Sequence, residues 1–135
     1  MKSINSIIYI RKLVFILMII SLFSCGDLFS YSKNITGKYY LMETDTKNDL
    51  AIYYKTNDGD FIGRIPSPIL EYGFNDSFLI AKCKKNDTVK YYILNRSKDS
   101  DYADQQDFLM GNPLTEKDFI EKWQKRLKIN FSKTP

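Results

Sequence analysis

A chain of 135 residues, 44% hydrophobic and 27% charged, is long enough to bury one globular core. It has no histidine, which removes the usual general base of a nucleophile triad and the commonest metal-ligating side chain. The formal charge of +4 forms no basic stripe beyond the short clusters Lys82-Lys84-Lys85 and Lys125-Arg126-Lys128, so no nucleic-acid partner is expected.

Lys2, Arg11 and Lys12 precede an apolar run over residues 13–23, and Ser24-Cys25-Gly26 closes it. Basic residues, then about 7–15 apolar ones, then small residues at a cut is the order of an export signal. A membrane-spanning helix needs about 20 apolar residues, and the uninterrupted run is shorter. Ser21-Leu22-Phe23-Ser24-Cys25 resembles the lipobox of bacterial lipoprotein signal peptides. That resemblance implies cleavage before Cys25, a covalent lipid on its sulfur and residence in the bacterial cell envelope, with the leaflet left open. Two or more acyl chains anchor stably where one does not, so the membrane is an expected partner and no further cofactor is. N-x-[ST] sequons at Asn34, Asn75, Asn86 and Asn95 would suit a secreted glycoprotein instead. In a chain rich in Asn, Ser and Thr they weigh less than the leader. The expected organisation is a signal peptide over residues 1–24, a lipidated tether over 25–36 and one domain over 37–135. Cleavage takes 24 of the 135 residues and leaves 111, and loss of Lys2, Arg11 and Lys12 brings the charge from +4 to +1.

Short runs of β-type residues come next, separated by turn residues. The first covers residues 38–43 (KYYLME) and the second 50–55 (LAIYYK). Asp58-Gly59 is a tight-turn pair, since glycine tolerates positive φ. A third run, 61–65, stops at Pro66 and Pro68, which supply no ladder donor and mark an edge or a crossing loop. A short strand at 69–72 precedes Gly73. Residues 77–84 and 88–95 form a hairpin turning through Lys85-Asn86-Asp87. Cys83 alternates with Leu79 and Ala81 inside it. With Cys25 acylated, Cys83 has no disulfide partner and is expected to be a small buried thiol.

Residues 97–107 read as an acidic loop. Thr115, with Asp118 three residues later, then caps a helix, and Leu114 with Phe119 forms a hydrophobic staple. Phe119, Ile120, Trp123 and Leu127 share one stripe, and residues 128–131 alternate as a last short strand.

Three strands hold adjacent tyrosines: Tyr39-Tyr40, Tyr53-Tyr54 and Tyr91-Tyr92. Side chains on a strand alternate faces, so each pair sends one ring to each side of its sheet. With Tyr39, Tyr54 and Tyr91 inward, Tyr40, Tyr53 and Tyr92 face away. They either pack under a covering segment or form an aromatic platform for a partner. Arg64, in the segment Arg64-Ile65-Pro66-Ser67-Pro68, is expected to be exposed beside them. Tyr40, Tyr53, Tyr92 and Arg64 are the candidate binding surface.

Acidic chemistry is the remaining possibility. Asp99, Asp101, Asp104 and Asp107 form D-x-D-x-x-D-x-x-D, a weak candidate for calcium, which prefers several oxygens on a flexible loop. The pattern departs from an EF-hand loop, where position six is glycine and position twelve glutamate. Those positions are Asp104 and Met110 here. Glu43, Glu71 and Asp76 would make a catalytic pair only if folding brought two of them face to face. No P-loop, dinucleotide or G-x-S-x-G motif occurs.

The segments GKYYL (37–41), YGFNDSFLIAK (72–82), YYILN (91–95), DSDYAD (99–104) and LTEKDF (114–119) together resemble an uncharacterised family of small bacterial lipoproteins. The resemblance implies an envelope protein and carries no activity. The expected fold is α+β and mostly β: a curled antiparallel meander of about five or six strands packed on one C-terminal helix. The expected function is a non-enzymatic binding module for an unknown envelope protein, such as an inhibitor or immunity protein. An assembly accessory of an envelope membrane complex comes next, and an enzyme using carboxylates alone third.

Overall fold

Period-2 alternation puts apolar residues on both faces of the central hairpin, so it must be covered twice. The computed structural model shows how. It describes Tyr9, Val14 and residues 31–46, 49–111, 113–131 and 134–135. The chain divides into two compact units, Met1–Ser30 and Tyr31–Pro135. Apart from Tyr9 and Val14, the leader, with Cys25, lies outside the described residues. Every strand among the described residues belongs to the second unit.

Among the described residues, seven strands form two antiparallel sheets. The first has four strands in sequence order: β1 (Ser32–Thr36), β2 (Tyr39–Glu43), β3 (Leu50–Lys55) and β4 (Phe61–Ile65). The second has β5 (Ile69–Phe74), β6 (Phe78–Lys85) and β7 (Thr88–Asn95). The mostly β, antiparallel α+β reading holds, with more strands than expected and two sheets in place of one curled sheet. The Pro66–Pro68 break explains the division, because proline cannot continue a ladder. β1 corrects the tether: residues 32–36 pair with β2 as an edge strand. Its sequence, SKNIT, has no apolar alternation, so only its neighbour defines it as a strand. The β6–β7 turn uses Asn86 and Asp87 at φ 49° and 60°, the left-handed pair that a two-residue hairpin turn requires.

The β5–β7 sheet has a core on each face. Leu79, Ala81, Cys83, Tyr92, Leu94 and Tyr72 share a buried cluster with Tyr39, Leu41, Ile52, Tyr54 and Ile65 of the four-stranded sheet. Ile80, Tyr91 and Ile93 share the other cluster with Phe119, Leu127 and Ile129. The adjacent tyrosines Tyr91 and Tyr92 therefore belong to different cores. Tyr91 stacks on Phe119 with ring centres 4.9 Å apart, and its hydroxyl donates to Glu116 at 3.0 Å. Burial, then that carboxylate, raises the Tyr91 phenol above its ordinary value. Cys83 is 1% exposed, and burial pushes its thiol up to about 12. It packs as a small apolar group.

The C-terminal helix lies on the outer side of the β5–β7 sheet. The chain first makes one short turn, α1 (Gln105–Phe108), and runs along β7. Bridges from Leu109 to Leu94 and from Leu114 to Tyr91 cover that sheet edge. α2 (Glu116–Phe119) starts as its cap predicts, with Thr115 Oγ1 accepting from the Asp118 amide at 3.2 Å. It continues through a π-helical turn (Ile120–Gln124) into α3 (Lys125–Leu127). Two α-turns take about 7.2 residues, whereas Phe119 and Leu127 are eight apart; the wider turn absorbs the excess and both are buried. Ile120 does not share their stripe and is 48% exposed.

Residues 128–131 form no strand. Lys128 ends the helix at φ 51°, and Asn75 Nδ2 donates to the carbonyl of Leu127 at 3.2 Å. The segment then crosses β5 at Gly73, where a Cβ would collide with the Asn130 carbonyl oxygen. Only glycine permits that approach. Gly73→Ala is expected to displace residues 128–131 and destabilise the domain by about 1–3 kcal/mol. Urea unfolding measures this, with Gly63→Ala as control, since the nearest atom there lies 3.9 Å from a new Cβ.

Candidate binding loop and groove

Register explains how Arg64 comes to lie inside. β3 and β4 pair regularly from Lys55↔Phe61 to Tyr53↔Gly63, then shift so that Ile52 faces Ile65. The unshifted ladder would set Arg64 opposite the inward-facing Ile52, and the bulge at Arg64 turns Ile65 inward as well, so two adjacent residues face the core. It is 8% exposed, which corrects the expectation of a surface arginine. Its guanidinium lies between the rings of Tyr54, at 5.0 Å, and Phe108, at 4.5 Å.

Asp99 meets it there. Arg64 Nε donates to both Asp99 oxygens at 3.0 Å, and Nη2 lies 2.9 Å from Oδ1. The two side chains are 5% and 0% exposed. Nη2 also donates to the Ser100 carbonyl at 2.9 Å, and the Tyr39 hydroxyl donates to Asp99 Oδ2 at 3.0 Å. Burial, reinforced by the Asp99 carboxylate, pushes the Tyr39 phenol far above its ordinary value, so it stays a donor. Charge-assisted, multiply bonded pairs of this kind are the strong ones, and here the pair ties the loop after β7 to the facing sheet.

The remaining loop contacts are partly local and partly to the four-stranded sheet. Asn95 Oδ1 accepts from the Ser97 amide at 3.1 Å and its hydroxyl at 2.7 Å, shaping a 3₁₀ turn (Arg96–Lys98). Asp101 Oδ2 accepts from the Asn57 amide at 2.8 Å, in the β3–β4 turn, and Oδ1 lies 3.6 Å from Lys38 Nζ. Lys38 Nζ also donates to Asn57 Oδ1 at 2.6 Å. The Asn57 amide, then Lys38, hold the Asp101 carboxyl below its ordinary value. Asp104 caps α1, and Asp107 accepts from its amide at 3.1 Å. The four aspartates thus serve three separate anchoring tasks. Among the described residues no group of three or more His, Cys, Asp or Glu is placed to share a metal ion.

Beside this loop lies a groove of about 670 Å³, lined by Tyr53, Arg64, Pro66, Lys85, Tyr92 and Gln105 among others. It gathers three of the four predicted surface residues, though not as an open platform. Tyr92 is 6% exposed; it does face away from the helix, but the four-stranded sheet covers it. Tyr53 is half-buried. Tyr40 stands apart from the groove, edge-on to Phe61 at 5.2 Å and 5.9 Å from Lys55 Nζ. Glu43 ends β2, Asp76 sits in the β5–β6 turn, and Glu71 in β5 pairs with Lys82 at 3.2 Å. The cluster that Asp99 forms with Arg64 and Tyr39 was missed, because these two partners lie 35 and 60 residues from it. Compared with known protein families, curated proteins and solved structures, the chain matches none.

Asp99→Asn leaves the Arg64 charge buried without a counter-charge, and a loss of about 3–5 kcal/mol is expected. Arg64→Met combined with Asp99→Leu should restore most of it in the same denaturant titration, because it removes both charges. The Asp101 contact has its own pH signature. Its folded carboxyl is depressed, so its contribution is complete above the ordinary carboxylate range and is lost as pH falls through that range to the lowered value. Protection of the Asn57 amide should fall over that acid window, and Asp101→Asn should abolish the dependence.

Proposed function

We propose that the chain is a lipid-anchored protein of the bacterial cell envelope that acts as a binding module, in the manner of an inhibitor or immunity protein. The anchor is supported by the leader, which runs from basic to apolar to small residues and ends at Cys25. The observation that carries the binding role is the loop over residues 96–107, held in one shape by Arg64, Tyr39, Lys38 and Asn57. A loop ordered before it meets a partner loses less freedom on binding, which suits insertion into a cleft.

An accessory role in a membrane complex is the second reading, and the Tyr40-Phe61-Lys55 cluster supports it. Partner docking would then use the outer face of the four-stranded sheet. A carboxylate-only enzyme would need two acids facing each other across a cleft. Glu43, Glu71 and Asp76 stand on three different elements.

Mass spectrometry of the mature N-terminus tests the anchor. A first residue Cys25 carrying a diacylglyceryl group and an N-acyl chain is expected, and Cys25→Ala should release the protein from the membrane fraction. A full-length chain with a free thiol at residue 25 would overturn the reading.

A further inference from the structure

Tyr102 is 93% exposed, whereas the next most exposed aromatic among the described residues of the folded unit, Tyr31, is 39% exposed. The backbone around it is fixed all the same. Ser100 is held by Arg64, Asp101 by Asn57 and Lys38, and the Ala103 amide donates to Ser100 at 3.2 Å. Tyrosine presents a large contact area at little entropic cost and is enriched among the side chains that dominate interfaces. A fully solvated ring on an immobilised loop needs no ordering of the backbone before it binds.

Register gives its direction. The chain enters the domain at Tyr31, whose carbonyl accepts from the Glu43 amide, and Ser32 pairs with Met42. β1 then runs to Thr36 beside Tyr39. Lys38 and Asn57, which hold Asp101, belong to the turns at that far end of the sheet, where the Lys55 amide donates to Lys38. Five strand residues separate the poles by roughly 15 Å. An anchor at Cys25 would join the domain at Tyr31 through six residues, at most about 20 Å of chain, so the point of attachment is the near pole. The exposed Asp58 and Asp60 flank the loop at that far pole, among the basic residues Lys38, Lys55, Arg96 and Lys98.

Resting on the proposed anchored binding role, we propose that Tyr102 is the anchor side chain for a water-soluble protein partner, presented on the pole that faces away from the membrane. The matching site is an apolar pocket sized for a phenol ring. This assigns the contact to the loop and not to the tyrosine-bearing sheet face, and it favours an inhibitor over a membrane-complex accessory.

The test places the photo-crosslinker p-benzoyl-phenylalanine at position 102 of the full-length lipidated protein in intact cells. A matching chain carries it at Ile120, exposed on the C-terminal helix. Illumination should give one discrete adduct with a water-soluble protein from position 102 and not from position 120. With that partner purified, Tyr102→Ser should weaken binding by about 30-fold or more, and Tyr102→Phe by less than about fivefold. Both variants should melt as wild type does, since the ring is almost fully solvated. A missing adduct, the same adduct from Ile120, an adduct with lipid or a membrane protein, or an unweakened Ser variant would each overturn the proposal. A Cys25→Ala chain that still sediments with membranes overturns the anchoring reading instead. A correctly anchored chain whose position 102 gives no such adduct overturns this inference alone.

Discussion

The Arg64–Asp99 pair is the constraint on which the loop depends. It sits between two aromatic rings, with the carboxylate fully buried and both its oxygens engaged. Buried ion pairs seldom add stability over a well-packed apolar substitute. What this one supplies is position. One end is fixed in a strand by a bulge, and the other fixes a loop that has no regular ladder of its own. The loop therefore inherits the rigidity of the sheet, which gives an otherwise polar, acidic segment a defined surface.

Much of the fold was legible because it rests on local periodicity. The runs at 50–55, 61–65 and 88–95 became β3, β4 and β7 with the expected bounds. The helix began at the predicted cap, Thr115, because capping chemistry is read from a few adjacent residues. The inward facing of Tyr39 and Tyr54 followed from alternation alone. The edge strand β1 did not, because a polar five-residue strand is defined by its neighbour and not by its own pattern.

The site was less legible, for a specific reason. A bulge in β4 lets the neighbours Arg64 and Ile65 both face inward, whereas alternation allows only one of two adjacent residues to do so and cannot foresee a bulge. Tyr92 fails differently. Its direction was read correctly, but a second sheet covers the face it points to. Burial on that face depends on contacts between strands far apart in the chain. The acidic loop was read as solvated for the same reason, since its ties to the four-stranded sheet end on Arg64, Asn57, Tyr39 and Lys38, all distant in sequence. The exposed ring of Tyr102 was the local clue: a lone aromatic in a polar stretch with no alternation to bury it.

The first strand, β1, also fixes how the domain bears tension. The chain enters at the Met42 end of β1, while the loop attaches at the opposite turns. A pull between those points runs along the strand axes, and the hydrogen bonds joining antiparallel strands lie across it. The β1–β2 ladder is then loaded in shear, with its bonds sharing the force together and none peeled away in sequence. An edge strand that looks dispensable by composition is placed where such a pull meets the most mechanical resistance.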